Sequence, residues 1–576
     1  MRELDGPAGT ALAWLHGGDL AARQLAAEGV RHLFTLTGGH ISAVYDGARF
    51  AGITLVDFRH EQAAVHAADA YARLTRRPAA AAVTAGPGVT GALTAVANAY
   101  YAHSPVVVLG GRNPFLTDGA GNLQEAPHLE LMRPVTKSAQ AAYDAWRVPD
   151  VVRDAFAVAA SPRFGPAFVD LPMDVQLTRY APEDAPAIRR SAVPTAAEPD
   201  DEAVRRVADA LGRASAPVVF AGSGAYWAGA SEALAALLAA ARCPVYCNGM
   251  ARGLLGARNP YQLHHRRREV LAGADLVLVL GADFDFRLGF GAAGSLAEGA
   301  TVVQVDPQAS ALGRNRDVTL AVCADIERFL RALLRHEARF GRTAEPERSE
   351  ALRRRDADAE ARLRVPIGPD APIHPLRLAQ ELAGYLDPDA IAIGDGGDVV
   401  TQGASVLRPG GPGCWMDPGP FGCLGIGAPF AMGARLARPD AQIAVLFGDG
   451  AFGFNGFEYE AAVRQKLPFV GVMGNDGAWG EMRTFHEDIF GPEHMEAQYL
   501  SRETAYETVV RGLGGHGERV ERASEIRPAL RRAFDAGVPA LLNVLLDPSV
   551  RREEMTISGK QVARAYGGGD PDAFRR

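Results

Sequence analysis

Two aspartates, Asp449 and Asp476, stand 27 positions apart within AVLFGDGAFGFNGFEYEAAVRQKLPFVGVMGNDGAW, residues Ala444 to Trp479. Each follows a short apolar run: Ile443 to Phe447 leads into Gly448, Asp449 and Gly450, and Phe469 to Met473 leads into Gly474, Asn475 and Asp476. Such runs bounded by glycine read as buried strands, with one helical crossover between them. Consecutive strands of this kind are neighbours, so both turns are expected together at the carboxyl ends of the strands, where open α/β sheets bind ligands. Two carboxylates there, with a main-chain carbonyl nearby, suit Mg²⁺, which takes one or two carboxylates and completes its shell with phosphate and water. Gly450, Ala451 and Phe452, where the helix begins, are expected to offer amide N–H groups to a diphosphate.

The elements that must position these residues recur along the chain. Short β-rich runs alternate with Ala- and Leu-rich helical stretches from Leu33 to Asp170, from Pro217 to Asp306 and from Ala390 to Asp547. This predicts an α/β protein of three doubly wound, mainly parallel sheets. The expected domains are 1–183, 200–340 and 371–550, followed by a tail, 551–576. A Pro- and Ala-rich stretch, Ala181 to Asp200, reads as a surface linker, and the charged stretch Gly341 to Pro375 as a second break with a solvated helix in its middle. The first and third units share a rhythm, as duplicated or mutually paired domains would.

At 576 residues the chain is long enough for three or four domains. Sixty basic residues against 68 acidic ones, a net charge of -8, remove the electrostatic basis for an extended nucleic-acid or membrane-surface role. Cys243, Cys247, Cys323, Cys414 and Cys423 form no CxxC pair, which fits a reducing compartment. Glu3 and Asp5 precede no apolar signal core, and the longest aliphatic stretches, such as Leu276 to Leu280, are strand-sized. A cytoplasmic protein without membrane spans is therefore expected.

Gly448-Asp449-Gly450, followed at this distance by Asn475-Asp476, resembles the cofactor motif of thiamine-diphosphate enzymes. The resemblance implies three domains: pyrimidine-binding, central nucleotide- or CoA-binding, and diphosphate-binding. Mg²⁺ would be held by Asp449, Asp476 and the carbonyl of Ala478, with Gly396, Gly397 and Gly448 among the cofactor contacts. The family usually has Asn where this chain has Asp476, so the site carries an added negative charge. Arg59-His60-Glu61-Gln62 looks like the family's segment whose glutamate shares a proton with the aminopyrimidine ring, here Glu61. In Pro420 to Gly427 the resemblance gives Leu424 as the apolar support beneath the cofactor and the Gly422 carbonyl as partner of its 4'-amino group. It also implies a homodimer or homotetramer with active sites between subunits.

Within the family the chain resembles the acetolactate synthase, oxalyl-CoA decarboxylase and 2-hydroxyacyl-CoA lyase branch. LTGGHISAVYD (Leu36 to Asp46), TAGPGVT (Thr84 to Thr90) and the stretch from Gly249 to Gly291 lean toward the lyases. Acetolactate synthases usually show Ala at the position of His40 and Phe at that of Leu123. The expected reaction is cleavage of a 2-hydroxyacyl-CoA to formyl-CoA and an aldehyde or ketone, with short branched substrates such as 2-hydroxyisobutyryl-CoA and longer straight ones both open. Its alternatives are an acetolactate synthase-like carboligase or decarboxylase acting on 2-oxo acids, and a non-catalytic cofactor-binding protein.

His40 is a candidate to bond the thioester oxygen or the hydroxyl, against a purely structural histidine. Gln124 matches the family's active-site glutamine, and Glu481 and Glu493 are candidate bases for the hydroxyl, against ordinary solvated acids. For the CoA moiety, Arg266, Arg267, Arg268 and Arg287 are candidate phosphate partners and Asp306 a candidate ribose partner, against surface ion pairs. Gly222-Ser223-Gly224 is an incomplete dinucleotide-type loop, so ADP or FAD is a further candidate for the central domain. The tail, with Lys560, Arg564, Arg575 and Arg576, is a candidate lid over CoA.

Overall fold

A computed structural model describes residues 13–192, 195–341, 346–365, 370–493 and 495–550. The tail and its candidate lid lie outside the described residues, as do Glu3 and Asp5. The chain forms two compact units, one of residues 1–195, 418–440 and 455–468, the other of 196–417, 441–454 and 469–576.

The first unit is built on six parallel strands: β1 (His32–Thr35), β2 (Thr54–Asp57), β3 (Ala79–Val83), β4 (Val106–Arg112), β5 (Ser138–Ala141) and β6 (Ala167–Pro172). Their order is β2-β1-β3-β4-β6-β5. Strand β3, AAAAV, has little intrinsic strand preference, yet all of its residues are buried at the centre of the sheet. Tertiary packing overrides propensity here, because a strand covered on both faces needs only to be apolar.

The helix Glu61–Thr75 follows β2, and the helix Gly427–Ala437, far along the chain, packs onto it. A Cβ on Gly433 would fall inside the Ala67 carbonyl, so the backbones touch. Phe430 lies 6.0 Å from the His66 ring, and the Arg73 guanidinium lies 4.9 Å from the Phe430 ring. Arg73 is fully buried and is paired with Asp69 at 2.7 Å.

The second unit carries two sheets. The central one contains β7 (Pro217–Ala221), β8 (Val245–Cys247), β9 (Leu276–Leu280), β10 (Thr301–Asp306) and β11 (Leu320–Cys323), all parallel, in the order β8-β7-β9-β10-β11. The other contains β12 (Ile391–Asp395), β13 (Trp415–Met416), β14 (Ile443–Gly448), β15 (Val470–Asn475), β16 (His516–Val520) and β17 (Ala540–Leu545), also parallel, in the order β13-β12-β14-β15-β17-β16. That strand order repeats the order of the first sheet, as the shared rhythm suggested.

The charged break contains the expected helix, exposed along most of its length. Its helix, Pro346–Arg362, is anchored rather than wholly solvated: the buried Asp356 carboxylate accepts the His264 and His265 amides at 3.0 and 2.7 Å, and Leu352 packs on the central core. One carboxylate satisfying two otherwise orphaned amides is enough to dock a face that composition marks as polar. Among the described residues no helix is long and apolar enough to cross a membrane.

The close approach at Gly433 is testable. Gly433→Val should force the two helices apart and destabilise the first unit by about 1–3 kcal/mol, as overpacked cores do. Thermal melting should show the loss, and an unchanged melting temperature would refute the contact.

Candidate active site

The candidate residues fall into two sets, one in each unit. In the second unit, β14 and β15 pair in register with Gly448 opposite Gly474, so the two turns are neighbours as expected. Asp449 is 3% exposed, and its two oxygens are held separately, Oδ1 by the Gly450 amide at 2.9 Å and Oδ2 by the Gly477 amide at 3.0 Å. The Gly450 amide, expected on a diphosphate, is thus engaged by Asp449. Asp476 accepts the Ala478 amide on Oδ1 at 3.3 Å and faces the Arg483 guanidinium with Oδ2 at 3.3 Å. Burial first, and the charge of Asp476 second, push the Asp449 carboxyl up to about 7.

Behind the turn, Asn475 donates to Asn543 at 3.1 Å, and Asn543 donates to the buried Glu507 at 2.8 Å, a network that fixes the end of β15. Asn475 also accepts the Gly477 amide.

The end of β12 completes this set. A Cβ on Gly396 would lie 2.9 Å from the Gly448 nitrogen, and one on Gly397 would lie 2.6 Å from the Glu481 carboxylate. Gly450 is likewise closed by the Trp479 ring at 2.5 Å from such a carbon. Asp398, which begins the next helix, reaches the same place: a carbon on Gly480 would sit 2.8 Å from Asp476 Oδ2 and 3.5 Å from Asp398 Oδ2. Asp398 is a missed candidate, although Gly394 to Asp398 (GDGGD) repeats the strand-end pattern of Gly448 to Gly450. Ala478 is buried and bridges to Tyr499. Glu481 is half-buried at this loop, whereas Glu493 is exposed beyond the helix Gly480–Phe490. A donor set of hard carboxylate oxygens fits a divalent cation.

In the first unit Glu61 opens its helix with Gly88 and Gly91 facing it; a Cβ on Gly91 would lie 3.0 Å from Oε2. Its carboxylate makes no hydrogen bond or ion pair among the described residues. The two residues before it are held by Glu458, which is 1% exposed and accepts the Arg59 amide at 3.0 Å and the His60 amide as well. Glu458 had no sequence signal of its own, since its partner lies some 400 positions away.

The segment bearing Gly422 and Leu424 is fastened in the same unit. Phe421 stacks on Tyr101 at 5.4 Å, Cys423 lies 3.7 Å from His66 Nε2, and Asn455 donates to the Gly425 carbonyl at 2.6 Å. Leu424 itself is half-buried, outside the sealed core.

His40 and Gln124 are brought together. Asn113 Nδ2 donates to the Leu123 carbonyl at 2.9 Å and to His40 Nε2 at 3.1 Å. An amide nitrogen cannot accept, so in the neutral ring the His40 proton sits on Nδ1; the imidazole also bonds the Gln124 side chain. Burial, opposed by that bond and assisted by His128, holds the His40 imidazole below its ordinary range and hence neutral. Gln124 takes a positive φ of 62° over Gly86, whose own φ of 52° leaves no space for a side chain, since a Cβ would lie 2.5 Å from the Gln124 carbonyl. The Gly86 amide donates to His128 Nε2 at 2.9 Å, and His128 Nδ1 donates to the buried Asp170 at 2.9 Å.

The central candidates are engaged within the chain. Arg266 pairs with Glu269 at 3.0 Å, Arg287 forms a forked pair with Asp285, Arg267 donates to the Arg287 carbonyl at 2.8 Å, and Arg268 to the Gly294 carbonyl at 3.1 Å. Asp306 is buried and accepts the Gln308 amide at 2.9 Å.

Three family models match: the thiamine pyrophosphate enzyme N-terminal TPP binding domain over residues 15–131, the central domain over 204–333, and the C-terminal TPP binding domain over 395–544. The chain belongs to the thiamine pyrophosphate enzyme family. The matched domains support thiamine diphosphate as the cofactor of this family member. Its relatives include the acetolactate synthase large subunit of Mycobacterium tuberculosis, 40% identical over 538 residues that span 93% of this chain and 96% of that one. They also include the 2-hydroxyacyl-CoA lyase 2 of Homo sapiens, 35% identical over 584 residues, 92% and 90% of the two chains, and that of Danio rerio, 33% identical over 582 residues, 93% of each.

Burial pushes the Glu458 carboxyl up to about 7, against the lowering effect of the two amides. An acid whose folded pKa is raised gives stability that is full below about pH 4.5 and is lost as pH rises through about 7, on the order of 3 kcal/mol. Glu458→Gln removes that titration. The melting temperature of the native protein should therefore fall relative to the variant between pH 5 and pH 8; a constant difference would contradict the assignment.

Proposed function

We propose that this family member is a thiamine-diphosphate- and Mg²⁺-dependent 2-hydroxyacyl-CoA lyase. It breaks the bond between the thioester carbon and the hydroxyl-bearing carbon; the hydroxyl proton and the bond's electrons leave the carbonyl product and end as the C–H of formyl-CoA. When bound, the cofactor supplies the carbon nucleophile and the electron sink for that cleavage. Asp449, Asp476 and the Ala478 carbonyl hold the metal. Glu61, with its carboxylate uncommitted among the described residues, exchanges a proton with the aminopyrimidine ring. Leu424 supports the cofactor from below, and the Gly422 carbonyl receives its amino group. The active form is a homodimer or homotetramer in the cytoplasm, with Arg266, Arg267, Arg287 and Asp306 as the region toward which CoA, ADP or FAD binds.

The observation that carries the substrate class is the neutrality of the His40 cluster. Imidazole, Gln124, Asn113 and Thr84, the last 3.5 Å from Gln124, are all uncharged. The nearby Arg112 follows Gly111, which packs against His40, but its guanidinium is committed to Asp118 at 2.7 Å and Asp170 at 3.1 Å. A 2-oxo acid brings a carboxylate that calls for a cation, whereas a thioester carbonyl and a hydroxyl call for neutral donors and acceptors. Relatives at 40% identity with synthase names favour a second reading, a carboligase acting on 2-oxo acids.

Incubation with a panel of 2-hydroxyacyl-CoAs and 2-oxo acids, read by mass, separates the two. Formyl-CoA is the expected product; acetolactate from pyruvate without formyl-CoA from any thioester would establish the rival. Glu61→Gln should lower turnover by about 10²- to 10⁴-fold, the range for a lost acid–base group, with cofactor still bound. Retention of full turnover would exclude Glu61 from proton transfer.

A further inference from the structure

The loop between β15 and the helix Gly480–Phe490 gathers acids more densely than a single metal site needs. Asp449, Asp476, Asp398 and Glu481 all converge there, and a diphosphate would add further negative charge. Arg483, on the first turns of that helix, is 4% exposed. Its Nη2 is fixed between Asp476 Oδ2 at 3.3 Å and the Pro548 carbonyl at 3.0 Å. Asp476 is thereby divided, with one oxygen on the loop's own Ala478 amide and the other on the guanidinium.

We propose that Arg483 is a positioning residue of the metal site, which cancels the charge that Asp476 adds and fixes that carboxylate's orientation, so that the pair acts as one near-neutral ligand. The proposal rests on the reading of Asp449 and Asp476 as metal ligands. A buried guanidinium is costly alone and tolerable beside a carboxylate, here the half-buried Asp476, which ties the two positions to one another. Residues so coupled give non-additive effects when changed.

The consequence is non-additivity. With Asp476 in place, Arg483→Met takes the guanidinium away from that carboxylate and frees its orientation. The Mg²⁺ concentration that half-saturates binding of thiamine diphosphate should then rise by about tenfold, a coupling of ordinary size. In an Asp476→Asn background Arg483 has no carboxylate left at that position to orient or cancel, so the same change should move the half-saturating concentration by less than about threefold. Arg483→Lys, which keeps the charge, should stay within about threefold of the native protein.

Calorimetric titration of the full-length proteins with Mg²⁺ at fixed thiamine diphosphate reads all of these without turnover. The double variant contains no lone buried charge, so its comparison with Asp476→Asn stands even where Arg483→Met alone does not fold. Effects of the same sign and size in both backgrounds would overturn the proposal. Asp449→Asn, which leaves the Arg483 contact untouched, tests the metal reading separately: unchanged Mg²⁺ dependence in that variant would refute the site itself.

Discussion

Carboxylates held together at the ends of β14 and β15 are the constraint on which the second unit's candidate site depends. Two acids side by side and largely out of water repel one another and resist ionisation, which is why Asp449 is pushed up to about 7. Among the described residues no salt bridge to Asp449 relieves this. The protein uses backbone amides of Gly450 and Gly477 for Asp449, and an amide and a guanidinium for Asp476. Two of these turn positions must be glycine for want of space: a Cβ at 450 would strike the Trp479 ring and one at 477 the Arg502 side chain. Behind them, Asn475, Asn543 and Glu507 are fully paired, so the strand end stays in place although its charged neighbours repel.

Glu61 depends on a different arrangement. Its helix begins at an N-terminus whose preceding amides are taken by Glu458, so the dipole's positive end is already satisfied by an acid other than Glu61. Glu61 is therefore left to face the glycine surface of 88 and 91, where a carboxylate has space but no donor among the described residues. Holding the start of the helix thus falls to Glu458 and not to Glu61. Packing of Gly427–Ala437 against the same helix then fixes the segment of Gly422 and Leu424 in that unit.

Much of this was legible in the sequence, and the rest was not for a physical reason. The run Leu276 to Leu280 forms the strand it suggested, and the turns of Asp449 and Asp476 are neighbours because a single crossover joins their strands. Local pattern and local connection were sufficient there. Glu458, Asn113 and Arg483 escaped notice because their roles are set by contacts that no periodicity reports: an amide about 400 residues earlier, a histidine on another strand end, a carbonyl near the end of the described chain. Asp398 was accessible from the repeated GDG pattern, but its meeting with Asp476 depends on the adjacency of β12 and β14. The helix Pro346–Arg362 is largely solvated, as its ten charges suggest; what composition does not show is that one of them, Asp356, docks it through two amide partners.

The two sheets with the same strand order show how much of the chemistry lies in loops rather than topology. Both present their turns at the carboxyl ends of parallel strands, the place where such sheets receive ligands. At the third sheet those turns end in carboxylates and suit a cation with its phosphate. At the first they end in His40, Asn113 and Gln124, and the acid buried there, Asp170, is consumed by His128 and Arg112. One topology thus carries a cluster of acids at one sheet and, beside the Glu61 carboxylate, an uncharged trio at the other. That trio depends on burial keeping an imidazole uncharged, with Asn113, a pure donor at that contact, deciding which nitrogen carries the proton. A change that charged that imidazole would disturb the contacts of His40 with Asn113 and Gln124, whereas the contacts of Asp449 and Asp476 are made by other residues of another sheet.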